Sequence, residues 1–299
     1  MKEHDVLCLV TGATSGVGRA VAAGLAKTGV RVILLGRDSR RTEAVRECLA
    51  KETSNPRIDA MTADLSDQES VRRFARRFLE EFPVLHVLSL NHGVLLPKRE
   101  TTADGIEKTW AVNYLSGFML SGLLLPALRA GSPARILSVV GSPGLLRMTR
   151  LGFEEIGETG RYNGFRAIRQ SVLARLVFTQ EIASRLTGEG VTANVFHPGI
   201  VRSGFGRHLP AFLRFLHAAA SPLMSRESPT GVWAATDPGL GAVSGAYFVR
   251  KRPVLFSSPH VDAEVRKRLW NFSERMTGVV PEFSLTVLRS GSGTDSGRG

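Results

Sequence analysis

The sequence predicts an α/β protein with a doubly wound parallel sheet, and two observations support this fold class. Short segments rich in branched residues recur at 6–10, 30–35, 84–90, 135–140 and 191–196, with a weaker one at 57–63. Segments with helical periodicity lie between them, at about 17–28, 39–52, 67–82, 104–130 and 162–187. Strands that alternate with helices of this size indicate right-handed βαβ units, which place the strands parallel in one sheet.

Chain length and composition are typical of one large globular domain. The 299 residues are 43% hydrophobic and 22% charged, which is sufficient for a sizeable core. We expect a single domain over 1–278, then a tail over 279–299 whose Gly- and Ser-rich end is predicted to be disordered. The Pro-, Phe- and Leu-rich segment at about 203–229 is predicted to be a substrate lid. The alternative is a surface excursion with one amphipathic helix.

Several features argue against other classes of protein. No run of about eighteen apolar residues occurs, so no membrane span is predicted, and the N-terminus lacks the apolar core of a signal peptide. Cys8 and Cys48 predict no disulfide framework and fit a cytoplasmic location. The net charge of +12 comes from scattered arginine clusters without interleaved aromatic residues. We therefore expect an anionic cofactor or solvated surfaces, no nucleic-acid partner and no metal site.

A glycine-rich loop, TGATSGVGRA, follows the first predicted strand and opens a helix. Glycines in this context let the backbone turn sharply and let a pyrophosphate approach the helix N-terminus, whose free N–H groups favour anions. The strand–loop–helix context makes this pattern much more specific than glycine spacing alone. It predicts a Rossmann-type dinucleotide site whose cofactor contacts are Gly12, Thr14, Ser15, Gly16, Val17 and Gly18.

The end of the second predicted strand favours NADP over NAD. Folds selective for NAD usually place an acidic residue there, but this chain has Gly36 and Arg37, with Arg40 and Arg41 close behind. A guanidinium group suits a 2′-phosphate. Arg37 is thus the predicted selectivity residue, the alternative being a helix-capping segment with incidental arginines.

Further segments resemble the short-chain dehydrogenase/reductase family, in particular its retinol-dehydrogenase-like branch. TGATSGVG has the spacing of the family's TGxxxGxG loop, NHG at 91–93 is similar to its NAG, and WAVNYLSGF and FHPGIV match further segments, so that the resemblance extends to about residue 278. The resemblance implies that Asp64 and Leu65 contact adenine. It also implies that the cofactor site includes Asn91 and Gly93, and that Asn113 is the asparagine of the catalytic tetrad.

The same resemblance implies that the acid/base pair of the family is missing. The family carries YxxxK, in which the tyrosine exchanges the proton and the lysine binds the nicotinamide ribose. Anchoring on LARLVFTQEI places Ile168 and Val172 in these two slots. Counting from Arg135 places Gly141 in the serine slot, although a shift of one residue would restore Ser142. We therefore predict that the ordinary proton relay is absent.

Three other side chains are candidates for chemistry. Ser142 is the best remaining hydroxyl beside the predicted cleft. His92 occupies the alanine position of the family's NAG, near the nicotinamide end, and could shuttle a proton, the alternative being a histidine hydrogen-bonded to a neighbouring loop. Tyr162 and Arg166 form a YxxxR pair with one-turn spacing, but their register lies before or at the start of the helix.

Three functional hypotheses follow. The one we favour from the sequence is a non-redox reaction, such as cyclisation, elimination or isomerisation of a hydrophobic small molecule, since a phosphate loop adjoins an apolar cleft. The second is NADPH-dependent reduction of a carbonyl with substitute groups at Ser142, His92 or Tyr162. The third is a non-catalytic NADP(H)-binding sensor or partner subunit. By family analogy, a homo-oligomer would form through the long helices.

Overall fold

The computed structural model describes residues 6–153, 162–201 and 225–283, and an eight-stranded sheet runs through this part of the chain. Its strands are β1 Leu7–Thr11, β2 Arg31–Gly36, β3 Ile58–Thr62, β4 Val87–Leu90, β5 Ala134–Val139, β6 Val191–His197, β7 Tyr247–Val249 and β8 Arg252–Val254. The order across the sheet is β3-β2-β1-β4-β5-β6-β7-β8. All neighbouring pairs are parallel except β7 and β8.

Helices connect the strands. They are α1 Gly16–Lys27, α2 Ser39–Thr53, α3 Gln68–Glu81, α4 Lys108–Trp110, α5 Ser116–Leu123, α6 Leu125–Ala130, α7 Pro143–Arg147, α8 Gly164–Arg185, α9 Pro229–Thr236 and α10 Ala263–Thr277. A π-helix, Ala111–Leu115, joins α4 to α5, and a 3₁₀ turn, Pro238–Leu240, follows α9. Helices pack against both faces of the sheet.

Two apolar clusters cover the two faces of the sheet. Leu9 of β1 belongs to the cluster that contains Phe118 and Phe178 from α5 and α8. Val10, the next residue, belongs to the cluster that contains Val21 from α1 and Phe248 from β7. Consecutive strand residues point to opposite faces, so helices on both sides bury every residue of β1. This arrangement confirms the predicted fold class and explains the uninterrupted apolar strands.

The structure corrects the sequence-based boundaries in two places. The single helix predicted over 104–130 is divided into α4, the π-helix, α5 and α6. Beyond α10, Val279 is buried and Phe283 packs against the core, so the packed domain continues past the predicted boundary at 278. Residues 203–224 of the predicted lid lie outside the described residues. Within the described ranges, no helix is both long and apolar enough to cross a membrane.

Candidate active site

The predicted cofactor residues follow the carboxyl ends of β1, β2, β3 and β4. β1 lies between β2 and β4, so the strand order reverses direction at the β1–β4 pair. In open α/β sheets, the crevice outside such a switch point is the usual place for a ligand. The segments that follow β5 and precede α8 lie at the same edge, which brings the candidate catalytic residues to the crevice.

The glycine loop is tightly packed against its surroundings. Gly12 has φ +62°, and a Cβ there would lie 2.8 Å from the Cα of His92. Gly16 has φ +55°, a conformation that favours glycine. A Cβ on Gly18 would lie 2.3 Å from the carbonyl oxygen of Gly12. All three positions therefore require glycine, which fixes the path of the loop into α1.

The other loop residues support the same arrangement. Ser15 is the N-cap of α1, but its side chain makes no capping hydrogen bond. The first N–H groups of α1 are thus left for another acceptor. Val17 packs against the apolar cluster of that face, and the methyl group of Thr14 would lie 2.8 Å from a Cβ at Gly36. The Thr14 side chain therefore lies beside Gly36 at the end of β2.

The arginines after β2 are accessible at the crevice. Arg37 is exposed directly after the strand. Asp38 caps α2 by accepting a 2.7 Å hydrogen bond from the backbone N–H of Arg41. The guanidinium of Arg41 reaches back to the carbonyl oxygen of Thr14, at 3.5 Å. Asp38 therefore caps the helix, and the Arg41 side chain contacts the glycine loop.

Asp64 and Leu65 follow β3 at the same edge. The Asp64 carboxylate accepts hydrogen bonds from the backbone N–H and the hydroxyl of Ser66, at 2.9 and 2.7 Å. Partial burial acts to raise the pKa of Asp64, but these bonds and the charges of Arg37 and Lys108 outweigh it and lower the pKa. Leu65 packs against the core. Asp64 is accordingly a fixed, ionised acceptor near Arg37.

Asn91 and Gly93 follow β4. The backbone N–H of Asn91 donates to Thr11 Oγ1 at 2.9 Å, and its side-chain amide donates to Ser89. Asn91 Oδ1 is buried and has no hydrogen-bond partner among the described residues. Gly93 is exposed, and a Cβ there would lie 3.5 Å from Asn113 Oδ1. Buried polar atoms normally have partners, so Asn91 Oδ1 points to a donor from a ligand.

Asn113 lies in the π-helix that interrupts the predicted long helix. Its side chain accepts from the backbone N–H of Val94 at 2.7 Å, donates to the carbonyl of Val94 at 3.0 Å, and donates to Ser171 Oγ at 3.2 Å. A π turn changes the hydrogen-bond register and is frequent at functional sites. Asn113 therefore lies where the backbone departs from a regular α-helix, and it joins α8 to the loop after β4.

His92 is buried, and both of its ring nitrogens have partners. Nδ1 lies 2.6 Å from Thr11 Oγ1, and Nε2 lies 2.8 Å from Ser116 Oγ. The Ser116 hydroxyl donates to the carbonyl of Val112, so His92 Nε2 must be the donor towards it. Burial, reinforced by the charge of Arg175, holds the pKa of His92 well below its ordinary value. This geometry favours the structural interpretation of His92 over a proton shuttle.

We expect His92→Leu to lower the free energy of unfolding by roughly 1–3 kcal/mol at neutral pH, because buried hydroxyls lose their partner. Since the histidine is neutral when folded, the unfolded state binds more protons below its ordinary pKa near 6.5. The wild type should lose stability as the pH falls through that value, and the variant should lose less. Chemical denaturation at about pH 7.5 and 5.5 measures both effects.

The matched control is His260→Leu. His260 is partly exposed and lies in a turn, where its backbone N–H donates to Ser258 Oγ. His260→Leu should lower the neutral-pH stability by much less than His92→Leu does. Equal pH profiles for the wild type and His92→Leu would contradict the assignment of a buried neutral histidine.

Tyr162 and Ser142 occupy different environments. Tyr162 precedes α8, and its hydroxyl lies 2.9 Å from Thr109 Oγ1 and donates to Glu107 at 3.2 Å. Burial and the Glu107 carboxylate raise the pKa of Tyr162 to about 12, although the bond to Thr109 acts in the opposite direction. Ser142 is the exposed N-cap of α7, and its side chain makes no capping bond. Tyr162 thus anchors α4, whereas Ser142 is available to a ligand.

The predicted tyrosine and lysine slots present an apolar wall. Ile168 and Val172 are partly exposed and lie one turn apart on α8. A Cβ added to Gly141 would lie 3.9 Å from Val172 Cγ1, which places the predicted serine and lysine slots opposite each other. The hydroxyl of Tyr247 donates to the carbonyl of Gly141. The assignment of these slots stays a prediction.

Sequence reasoning missed Arg175, which is 4% exposed beneath the site. It lies three residues after Val172 within the apolar stripe of α8, so the periodicity treats it as an interruption rather than a signal. Its guanidinium donates to backbone carbonyls of Asn113, His92 and Val139. The signal in the sequence that could have identified this residue is an arginine within an otherwise apolar helical stripe.

Comparison with known proteins identifies the class of this nucleotide-binding fold. The sequence profile described as short chain dehydrogenase matches residues 7–152. Retinol dehydrogenase 14 of Mus musculus is 36% identical over 295 residues, which cover 93% of this chain and 87% of that protein. Retinol dehydrogenase 12 of Homo sapiens is 36% identical over 274 residues, covering 91% and 86%. The chain belongs to the short-chain dehydrogenase family, with retinol-dehydrogenase-like relatives, and is an oxidoreductase by class.

Solved structures share the fold. An uncharacterized protein from Mycobacterium paratuberculosis is 28% identical, with a TM-score of 0.74 over 94% of this chain and 96% of that one. A short chain dehydrogenase from Burkholderia cenocepacia in complex with NADP is 23% identical, with a TM-score of 0.63 over 83% and 97%. The non-redox reaction predicted from the sequence has no support among these relatives, and the reductase alternative fits them better.

Proposed function

We propose that the chain is an NADP(H)-dependent oxidoreductase that interconverts a carbonyl and an alcohol on a hydrophobic small molecule. The main support for this proposal is that two features occur together: a loop whose backbone requires glycine, and exposed arginines at the end of β2. Gly18 packs against the Gly12 backbone so closely that no other residue fits, and Arg37 lies exposed at the adjacent strand end. Family membership supports the same class of reaction.

The residues at the crevice fit a dinucleotide phosphate. The open N-terminus of α1 suits the pyrophosphate, and Arg37 with Arg41 suits a 2′-phosphate. Asp64 would accept from the adenine end, and the unpartnered Asn91 Oδ1 would accept a donor from the bound molecule. When bound, the nicotinamide supplies or accepts a hydride.

The chain's own contribution to chemistry is weak proton transfer in an apolar site. Ser142 Oγ is the exposed hydroxyl at the end of β5, and we assign it the hydrogen bond to the reacting oxygen, with solvent as the proton source. Asn113 holds the loop after β4 through Val94. His92 and Tyr162 are positioning residues because their polar atoms are already committed inside the protein.

The substrate side favours an apolar molecule. Ile168 and Val172 line the crevice without a polar atom, so a hydrated or charged substrate would lose water contacts there without replacement. General acid/base groups typically contribute about 10²–10⁴-fold to rate. We therefore expect slow turnover of hydrophobic aldehydes or ketones, with tight cofactor binding.

The test is a fluorescence titration with NADPH and NADH, followed by hydride transfer to a panel of hydrophobic carbonyl compounds. Selective NADPH binding and slow NADPH oxidation that is reduced by Ser142→Ala would support the proposal. Absence of binding to both dinucleotides, or NADPH binding without transfer across the panel, would overturn it.

Arg37→Glu should lower the preference for NADPH over NADH by roughly 10–100-fold, since a carboxylate would replace a guanidinium beside the 2′-phosphate. The charge-matched control is Arg73→Glu on α3, an exposed arginine away from the crevice. Dissociation constants for both cofactors measure the preference in each variant. An unchanged ratio in Arg37→Glu would place the phosphate elsewhere.

A further inference from the structure

The guanidinium of Arg175 is a buried positive charge beneath the proposed nicotinamide end. Nε donates to the carbonyl of Asn113 at 2.9 Å, Nη1 to that of Val139 at 3.1 Å and Nη2 to that of His92 at 2.8 Å. Nη2 also donates to the carbonyl of Asn113. With four hydrogen bonds to backbone oxygens, the group has little capacity to bind a ligand directly.

The three carbonyls belong to three different elements at the crevice. Asn113 lies in the π-helix, and its backbone carbonyl accepts from the Arg175 guanidinium. His92 follows β4, directly before the predicted cofactor contact Gly93, and Val139 ends β5, three residues before Ser142. Arg175 therefore ties together the backbone segments that carry the proposed cofactor and substrate contacts.

The charge of Arg175 has no compensating carboxylate within the described parts of the chain. Its contacts are neutral carbonyls, and burial lowers its pKa to about 10, so it stays protonated at neutral pH. Charge in a poorly solvated interior is weakly screened, so its potential extends into the adjoining crevice. His92 shows this effect, because the charge of Arg175 contributes to lowering the pKa of its imidazole.

We propose that Arg175 replaces the missing lysine as the cation of this site and sets a preference for reduced over oxidised cofactor. This inference rests on the proposed function. The oxidised nicotinamide ring carries a positive charge and the reduced ring is neutral, so a nearby fixed cation disfavours binding of NADP⁺ relative to NADPH. Arg175 acts on the reaction through this charge and through the backbone segments it holds.

The experiment compares dissociation constants for NADPH and NADP⁺ in the wild type and in Arg175→Met. The wild type should favour NADPH, and the ratio of the two constants should change by about tenfold towards NADP⁺ in the variant. The matched control is Arg135→Met, because Arg135 lies at the opposite end of β5 and also donates to two backbone carbonyls, of Ala234 and Asp237. Its ratio should equal that of the wild type.

If Arg175→Met does not fold, Arg175→Lys tests the charge effect instead. Burial lowers the pKa of a lysine, so the preference for NADPH should persist at about pH 6.5 and decline at about pH 9, where the wild type keeps it. His92, the titratable group facing Arg175 across the loop after β4, is neutral over this range. Loss of the preference for NADPH already at about pH 6.5, in a folded Arg175→Lys protein, would overturn the charge effect.

The failures of the two proposals are distinguishable. If the wild type binds neither NADPH nor NADP⁺, the proposed function fails and the inference fails with it. If the wild type binds both forms but Arg175→Met and Arg135→Met give the same ratio as the wild type, only the inference fails. A loss of affinity for both forms in equal proportion would mean that Arg175 is structural alone.

Discussion

Gly18→Ala is expected to weaken NADPH binding by at least about 100-fold. The added Cβ would lie 2.3 Å from the carbonyl oxygen of Gly12 and 2.8 Å from that of Thr11. Both neighbours are backbone atoms, which cannot rotate away as the end of a side chain can. The loop must therefore move away from α1, and the helix N-terminus loses the arrangement that accepts a pyrophosphate.

The experiment for this variant pairs a fluorescence titration with thermal unfolding. Gly144→Ala is the matched control, because nothing lies within 4 Å of a Cβ added there. We expect the control to keep the wild-type dissociation constant and melting temperature. A Gly18→Ala protein that remains folded and binds NADPH as tightly as the wild type would show that this loop does not hold the cofactor.

The strands were predictable to the extent that they are buried. β1 and β2 are covered on both faces, so they appear as uninterrupted apolar segments. β3 lies at the edge of the sheet and is only partly buried, which explains its weaker signal. β7 and β8 have three residues each, too few for a periodic pattern to be distinguished from a loop.

The interruption of the predicted 104–130 helix could not be foreseen from periodicity. The π-helix sequence AVNYL is entirely buried, and so are most residues of α5 after it. A helix buried on every side shows no polar face, and the pattern therefore carries no information about a change of hydrogen-bond register. The family resemblance matched Asn113 to the catalytic tetrad but predicted no change of hydrogen-bond register there.

The cofactor loop could be predicted from the sequence, whereas the contacts of His92 and Arg175 could not. The backbone conformation and close contacts at positions 12, 16 and 18 require glycine. The spacing of these glycines in the sequence therefore predicts the loop. The partners of His92 come from residues 11 and 116, and those of Arg175 from residues 92, 113 and 139. Contacts between such distant positions exist only once the sheet has brought its carboxyl ends together.

The second large effect is expected from restoring the predicted acid/base residues. Gly141→Ser, Ile168→Tyr and Val172→Lys together should raise the rate of NADPH-dependent carbonyl reduction by about 10²–10⁴-fold, the usual contribution of general acid/base catalysis. Ile168 and Val172 are partly exposed and one helical turn apart, so both new side chains can reach the crevice. A Cβ at Gly141 meets only ordinary contacts, the nearest at 3.8 Å, so serine fits there.

The control separates chemistry from packing. Ile168→Phe with Val172→Met gives side chains of similar size without a proton to exchange, and its turnover should stay at the wild-type level. In the restored variant the rate should also acquire a pH dependence from the new tyrosine, whose pKa the neighbouring lysine and Arg175 would lower. If the restored variant binds NADPH as the wild type does but gains neither rate nor pH dependence, positions 168 and 172 are not the slots of the family's pair. The proton would then have to be exchanged at another group, and Ser142 would be the first to examine, because its exposed hydroxyl makes no capping bond.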